Sequence, residues 1–281
     1  MAGNSSTPGQ SVSAKIFLVL DAFAGERTVL SMSDIARFSD LPTSTVHRLI
    51  QDMVAWGGLE RTSGGAYAIG VRLWEIAARS NRSYGLREAA MPFLQSLWET
   101  TKAHVLLAVM DGTDALLIER VAGTRGVPAA GRAGGRLPLH ASSSGKVLLA
   151  YAEPGVRDAV MTLGLPRYTP NTHTDPEALR LELDRVRRDS VATSENELTP
   201  GSVSCAAPVF GPPDVGIAAV SLLSSPGARD LKEMKLLVQM AARGLSHALT
   251  DSHPAASISP RLHRRTREPG QSDLSGQTRN A

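Results

Sequence analysis

The segment from Ser31 to Gly70 constrains this chain more than any other. Ser31 can cap a helix, and Asp34 three residues on completes a capping box with Asp in place of Glu. The helix that follows carries Ile35, Ala36 and Phe38 and is cut short by Ser39-Asp40-Leu41-Pro42. Pro42 has no N–H and pushes Leu41 out of the helical region, so a new helix is expected just after it. Thr43, Ser44 and Thr45 offer short polar groups to cap that start. Val46, Leu49, Ile50 and Met53 then recur at helical spacing and make one apolar face. The opposite face carries Ser44, Thr45, His47, Arg48 and Gln51. Gly57-Gly58 stops the helix. Leu59-Glu60-Arg61 and Tyr67-Ala68-Ile69 flank a Gly-containing connection, which reads as a β-hairpin.

Helix, tight turn, helix and hairpin is the order of a winged helix-turn-helix, with Val12 to Phe23 as the helix completing a three-helix core. Such a unit places one polar helix face in a DNA major groove. The candidate DNA-reading residues are Thr43, Ser44, Thr45, His47, Arg48 and Gln51, whose groups reach phosphates or base edges. Arg48 can pair in bidentate fashion with guanine. Arg61 belongs to the wing, which would touch the backbone or minor groove. From Ser11 to Ser80, seven Lys/Arg are matched by seven Asp/Glu, so any positive surface must be local. A helical unit whose polar face is merely solvated is the alternative reading.

Residues 11–70 resemble the N-terminal domain of the isocitrate-lyase-regulator (IclR) family of bacterial transcription factors. The likeness rests on Ser33-Asp34-Ile35-Ala36, on Leu41-Pro42-Thr43-Ser44-Thr45-Val46-His47-Arg48-Leu49-Ile50 and on Tyr67-Ala68-Ile69-Gly70. His47 stands where the family more often has Tyr or another residue.

The chain has 281 residues, enough for two domains. Hydrophobic residues at 42% and charged residues at 20% are those of a soluble globular protein, and 4% aromatics imply aliphatic cores. No apolar run reaches the length of a membrane span, and Met1 to Gln10 does not read as a signal peptide. One cysteine, Cys205, excludes an intramolecular disulfide and a cysteine zinc site. The cytoplasm is the expected compartment. The tail 251–281, rich in Ser, Pro, Arg and Gly, reads as a disordered basic segment.

Gly70 to Arg82 reads as a connecting helix, followed by a second with Leu86, Ala89, Ala90, Phe93, Leu94, Leu97 and Trp98. His104–Met110 and Ala115–Val121 are β-rich runs around a hairpin signal. Ser202–Phe210 and Ile217–Leu223 form a second such pair, and helical patterns cover Ser144–Tyr151, Pro176–Arg188 and Asp230–Leu249. The expected class is α+β, with helices around an antiparallel sheet. The expected organisation is 1–10 disordered, 11–70 winged helix-turn-helix, 71–82 linker helix, 83–250 effector and oligomerisation domain, and 251–281 tail.

The resemblance extends over about residues 11–250. Gly135-Arg136-Leu137-Pro138-Leu139-His140-Ala141-Ser142-Ser143-Ser144-Gly145-Lys146 is similar to the family's loop-to-helix motif. Glu195-Asn196-Glu197-Leu198-Thr199-Pro200-Gly201, running into Ser204-Cys205-Ala206-Ala207-Pro208-Val209-Phe210, is similar to its C-terminal signature. The resemblance implies a GAF-like effector domain that binds a small, often carboxylic or aromatic acid, and dimers through the N-terminal domain, often paired into tetramers. It implies backbone N–H donors at Ser143 and Ser144 and polar contacts from Glu195, Cys205 and Ser221. Leu223 stands where some members have a second serine, which favours a larger or more apolar effector.

From the residues alone, Ser142-Ser143-Ser144 ahead of a helix start at Gly145 suits a carboxylate. Cys205 and Ser221 lie on two β runs that could face one cavity. Packing is the plainer reading of Cys205. Glu197 could hold a turn, and Lys146 and His140 could be ordinary helix-start and loop residues. Ser143 to Lys146 also matches Ser-x-x-Lys, a nucleophile motif, but its partner motifs are absent. The histidines show no pair at metal-ligand spacing and no phosphate-binding glycine loop occurs, so neither metal nor cofactor is expected.

The resulting expectation is a ligand-responsive transcriptional regulator, a repressor, with operator DNA, a small-molecule effector and its own copy as partners, and no membrane. An activator of the same build, or a metabolite sensor that does not touch DNA, are the alternatives. Gly70–Arg82 is the candidate relay between the two sites.

Overall fold

The computed structural model describes residues 11–25, 27–77, 81–122, 127, 131–212 and 216–251, with 81–84 as backbone only. The expectations for residues 1–10 and 252–281 lie outside the described residues.

Helix α1 (Val12–Asp21) is capped by the Ser11 hydroxyl, which accepts the Ala14 N–H at 3.1 Å. It stops short of Phe23, and the chain passes through a 3-10 turn at Ala22–Ala24. A two-residue strand β1 (Val29–Leu30) precedes α2 (Met32–Ser39), where the Ser31–Asp34 capping box forms in both directions. The Ser31 hydroxyl and amide, both donating to the Asp34 carboxylate, hold its pKa below the usual value. Asp40 takes the left-handed conformation (φ 53°) and turns the chain into α3 (Thr43–Trp56). Val19, Phe23, Leu30, Ile35, Val46, Leu49, Ile50 and Leu59 share one core among these elements. Strands β2 (Leu59–Arg61) and β3 (Tyr67–Ile69) make the expected hairpin, and β1 adds on the far side of β3. The connecting helix α4 is Val71–Ala77, and α5 runs Asn81–Thr101.

The C-terminal part is α/β. Strands β4 (His104–Asp111), β5 (Asp114–Val121) and β6 (Arg136–Pro138) lead to α6 (Ser143–Ala150), α7 (Pro154–Thr162) and α8 (Pro176–Asp189). Then come β7 (Ala192–Glu195), β8 (Val203–Phe210), β9 (Ile217–Ser224) and α9 (Leu231–Asp251). The strands form one antiparallel sheet in the order β6-β5-β4-β9-β8-β7.

Helices cover both faces. Val105, Leu107, Cys205, Ala207, Val220 and Leu222 pack under α5 and α9. Leu106, Ala108, Ala206 and Ala219 point the other way, against residues of α6 and α8. Successive residues of β4, β8 and β9 thus alternate between two apolar layers. That is why these strands read as unbroken apolar runs rather than as alternating ones. Among the described residues no helix is long and apolar enough to cross a membrane.

Candidate functional sites: an exposed helix face and a hydroxyl-lined cavity

Helix α3 buries Val46, Leu49, Ile50 and Met53 and turns the rest outward. Thr43, Ser44, His47, Arg48 and Gln51 are exposed, and Thr45 is half-buried. One local expectation is corrected. The N-cap is Pro42, with no side-chain cap bond. Its carbonyl accepts the amides of Thr45 and Val46 at 2.9 and 3.0 Å. The side chains of Thr43, Ser44, Thr45 and Arg48 have no hydrogen-bond or ion-pair partner among the described residues. His47 Nε2 and Gln51 Nε2 stand 3.5 Å apart, one turn from each other. Beyond α3, the wing closes through Thr62 N–H to Ala66 O at 2.8 Å. Arg61 lies at its base, exposed and paired in register with Tyr67.

The second site is a small, partly open cavity on the α6 side of the sheet. Helix α6 begins two residues earlier than expected from Gly145. Ser142 is its N-cap, accepting the Gly145 amide at 3.1 Å and donating its own hydroxyl to Pro138 O at 2.8 Å. Ser143 and Ser144 therefore lie in the first helical turn, where backbone N–H groups lack helical acceptors. The Ser144 hydroxyl donates to Ser221 Oγ across the cavity at 2.9 Å. Ser194, whose hydroxyl donates to Ala141 O at 3.0 Å, also reaches the cavity, as do Thr199, Ser202 and Ser204. Leu106, Leu137, Leu198 and Leu223 supply the apolar lining, and none of the described lining residues is ionisable.

Ser143, Ser144 and Ser221 are thus brought together, whereas Glu195 and Cys205 are not. In the β8–β9 register Cys205 faces Leu222, on the α5–α9 side of the sheet, one residue out of phase with Ser221. Burial pushes its thiol up to about 12, so it is an inert packing group. Glu195 is exposed at the end of β7 and pairs with Val203. The period-two alternation of strands puts their neighbours Ser194 and Ser204 at the cavity instead. That alternation, counted back from Ser221 through the antiparallel partners, is the signal that would have found them.

Behind the cavity, Lys146 is fully buried. Its ammonium donates to Glu182 Oε1 and to Glu197 Oε1, each at 2.6 Å, and to Thr193 O at 3.1 Å. His173 Nδ1 stands 3.4 Å from the other Glu182 oxygen. The second Glu197 oxygen is buried with no hydrogen-bond partner among the described residues. Burial raises the Glu197 pKa, against the pull of Lys146. An ammonium committed to two carboxylates does not take a proton from Ser143, so the Ser-x-x-Lys pattern is not a nucleophile pair here. His140 closes the same corner through Nε2 and Pro166 O at 2.9 Å, and burial lowers its pKa.

Known proteins resemble both parts of the chain. Residues 14–63 match the family described as IclR helix-turn-helix domain, and residues 78–247 match bacterial transcriptional regulator IclR C-terminal. The chain is 30% identical to HTH-type transcriptional regulator XynR of Escherichia coli (strain K12), over 82% of this chain and 94% of that one. It is 31% identical to HTH-type transcriptional repressor AllR of the same strain, over 80% and 85%. Among solved structures, an IclR homolog from Microbacterium hydrocarbonoxydans complexed with 4-hydroxybenzoate is 36% identical, with a TM-score of 0.80 and coverage of 85% and 99%. The Thermotoga maritima IclR structure is 25% identical, with a TM-score of 0.67 and coverage of 84% and 97%.

Proposed function

This chain belongs to the IclR family of bacterial transcriptional regulators, and from that premise we propose that it is a repressor whose operator affinity is set by a small carboxylic acid. It is a DNA-binding regulator with an effector domain, not an enzyme. The observation that carries the DNA reading is the outward face of α3, where Arg48 has no ion-pair partner among the described residues and stands beside exposed Ser44, His47 and Gln51. The proposed readers are Thr43, Ser44, Thr45, His47, Arg48 and Gln51, with Arg61 and the wing on the backbone. Repression is supported by a relative named a repressor.

The effector is proposed to sit with its carboxylate on the free amides of the α6 first turn. Ser143, Ser144 and Ser221 would be its polar contacts and the four leucines its apolar ones. The one polar anchor proposed for a charge, the first turn of α6, suits a single carboxylate. A relative that holds 4-hydroxybenzoate supports this class. The proposed division is 11–70 for DNA, 71–82 for the link and 83–250 for the effector. A symmetric dimer would read a pseudo-palindrome. Val71, Trp74 and Ile76 support it, since all three lie more than half exposed on the link. The Arg132 guanidinium, donating to the Gly25 carbonyl, is a second bridge between the two parts.

Two measurements test this. Arg48→Ala should weaken specific operator binding by about 1–3 kcal/mol, roughly 5- to 150-fold, without moving the thermal melt. Fluorescence anisotropy on DNA from upstream of the chain's own gene reads it, and unchanged affinity moves the reading elsewhere. Ser143→Phe should fill the cavity, because Ser143 is 3% exposed in its lining. Operator binding should persist, while thermal-shift screening with 4-hydroxybenzoate and other small carboxylic acids finds no stabiliser that the parent protein shows. A normal response displaces the pocket.

A further inference from the structure

Residues 196–202 roof the cavity, to which they contribute Leu198, Thr199 and Ser202. The roof is a closed loop. Asn196 N–H donates to Ser202 O at 2.8 Å, Gly201 N–H to Asn196 Oδ1 at 2.7 Å and the Ser202 hydroxyl to Thr199 O at 2.5 Å. Its entry is set by Asn196 in the left-handed conformation, φ 58°.

Among the described residues, three groups tether this loop to its surroundings. The Thr169 hydroxyl donates to Asn196 O and the Thr172 hydroxyl to Glu197 O, both at 2.6 Å. These two come from one segment between α7 and α8 and hold backbone only. The third tether is the Lys146 ammonium on the Glu197 carboxylate. It is ionic and buried, and it starts from α6, whose first turn lines the same cavity.

We propose that Lys146 is the positioning residue of the effector pocket, stapling the 196–202 roof to α6 and so setting the gap in which the effector is held. For its role in effector binding this rests on the reading of the cavity given above. The staple itself does not.

The chemistry favours a specific task over general stabilisation. A buried ion pair gives little net stability, because desolvation offsets most of the attraction. It does fix geometry, since each buried partner has nowhere else to satisfy its charge. Lys146 spends all three protons, and every acceptor sits on a different element: Glu182 on α8, Thr193 on β7 and Glu197 on the roof. Glu197 is the more buried of the two carboxylates, with a side chain 7% exposed against 16% for Glu182. Without its ammonium, that carboxylate must take up a proton or swing toward water, and Leu198 and Thr199 are carried by the same backbone.

Among the described residues, the ionisable groups facing the staple are Lys146, Glu182 and Glu197, with His173 beyond Glu182 and His140 at the turn into α6. A neutral Glu197 cannot form the ion pair, so the staple is complete at higher pH and weakens as pH falls through the Glu197 titration. Burial places that titration above the usual carboxylate range.

Hydrogen–deuterium exchange of the full chain, with no ligand present, tests the proposal in the parent protein, Glu197→Gln and Glu182→Gln. Each variant keeps the side-chain shape and removes one carboxylate. Glu197→Gln should speed exchange of the 196–202 roof by about tenfold, the equivalent of one charged hydrogen bond. Strands β8 and β9 should exchange at parental rates, and Glu182→Gln should leave the roof within about twofold of the parent. The ratio of roof exchange between Glu197→Gln and the parent should fall toward one as pH is lowered through the Glu197 titration, as the parental carboxylate is neutralised. An unchanged roof in Glu197→Gln overturns the proposal. So does acceleration spread evenly over the sheet, equal loosening by Glu182→Gln, or a ratio that ignores pH. Because no effector is used, these outcomes are separate from failure of the effector reading.

Discussion

Gly145→Ala should destabilise the C-terminal domain by about 3 kcal/mol or more, lowering its melting temperature by roughly 6–12 °C. On an ordinary helix the same change would help, because alanine outranks glycine by about 1 kcal/mol. Gly145 is not at an ordinary position. A Cβ there would lie 2.6 Å from Leu139 Cα, 2.6 Å from Pro138 O and 2.7 Å from Leu139 O, all backbone atoms. None can rotate aside, and Pro138 O is already held by the Ser142 hydroxyl. The only relief is to lift α6 away from β6 and the turn after it, which opens the cavity floor. Differential scanning calorimetry reads the loss, and a variant as stable as the parent or more so would contradict the packing of α6 described above.

Gly70→Ala should weaken operator binding by about 30-fold or more while leaving the effector domain folded. Gly70 donates its N–H to Gly58 O at 2.9 Å and packs so closely that a Cβ would enter the contact shell of the Gly57 carbonyl oxygen. Gly57, at φ 84°, and Gly58 together end α3, with Gly58 N–H returning to Met53 O at 2.9 Å. The collision therefore pushes the end of the wing off the end of the reading helix. A cost of about 2–3 kcal/mol falls on a small domain with one modest core, where it matters most. Anisotropy should show operator affinity reduced by about 30-fold or more, while thermal-shift stabilisation of the effector domain by a bound acid persists. Retained operator binding would mean that the wing tolerates displacement from α3.

The contrast between these glycines and Lys146 shows what the sequence displays and what it hides. The reading unit was legible because its determinants are local: the Ser31–Asp34 box, the Pro42 break and the Gly57-Gly58 stop each act within a few residues. Strand β1 was not, since Val29–Leu30 is too short to show alternation and exists through its pairing with β3. Strands β6 and β7, at the two edges of the sheet, escaped for the same reason, and α7 was not marked out at all. The four long strands were legible as apolar runs, but a run buried on both faces does not reveal which residue faces which side. That ambiguity put Cys205 rather than Ser204 beside Ser221. Lys146 looked like an ordinary helix-start residue because its partners, Glu182 and Glu197, arrive from distant parts of the chain.

The two-sided sheet has one more consequence. The cavity opens on the α6 face, while α5, the helix that continues toward the DNA-reading unit, lies on the other. Measured along the chain, the serines of the cavity and α5 are remote. Measured through the sheet, they share a wall one residue thick. Leu106 lines the cavity while Val105 and Leu107 press on the α5 side, and Ser221 lines it while Val220 and Leu222 do the same. A displacement of β4 or β9 from the cavity side would therefore meet the residues packed under α5 within one residue's step.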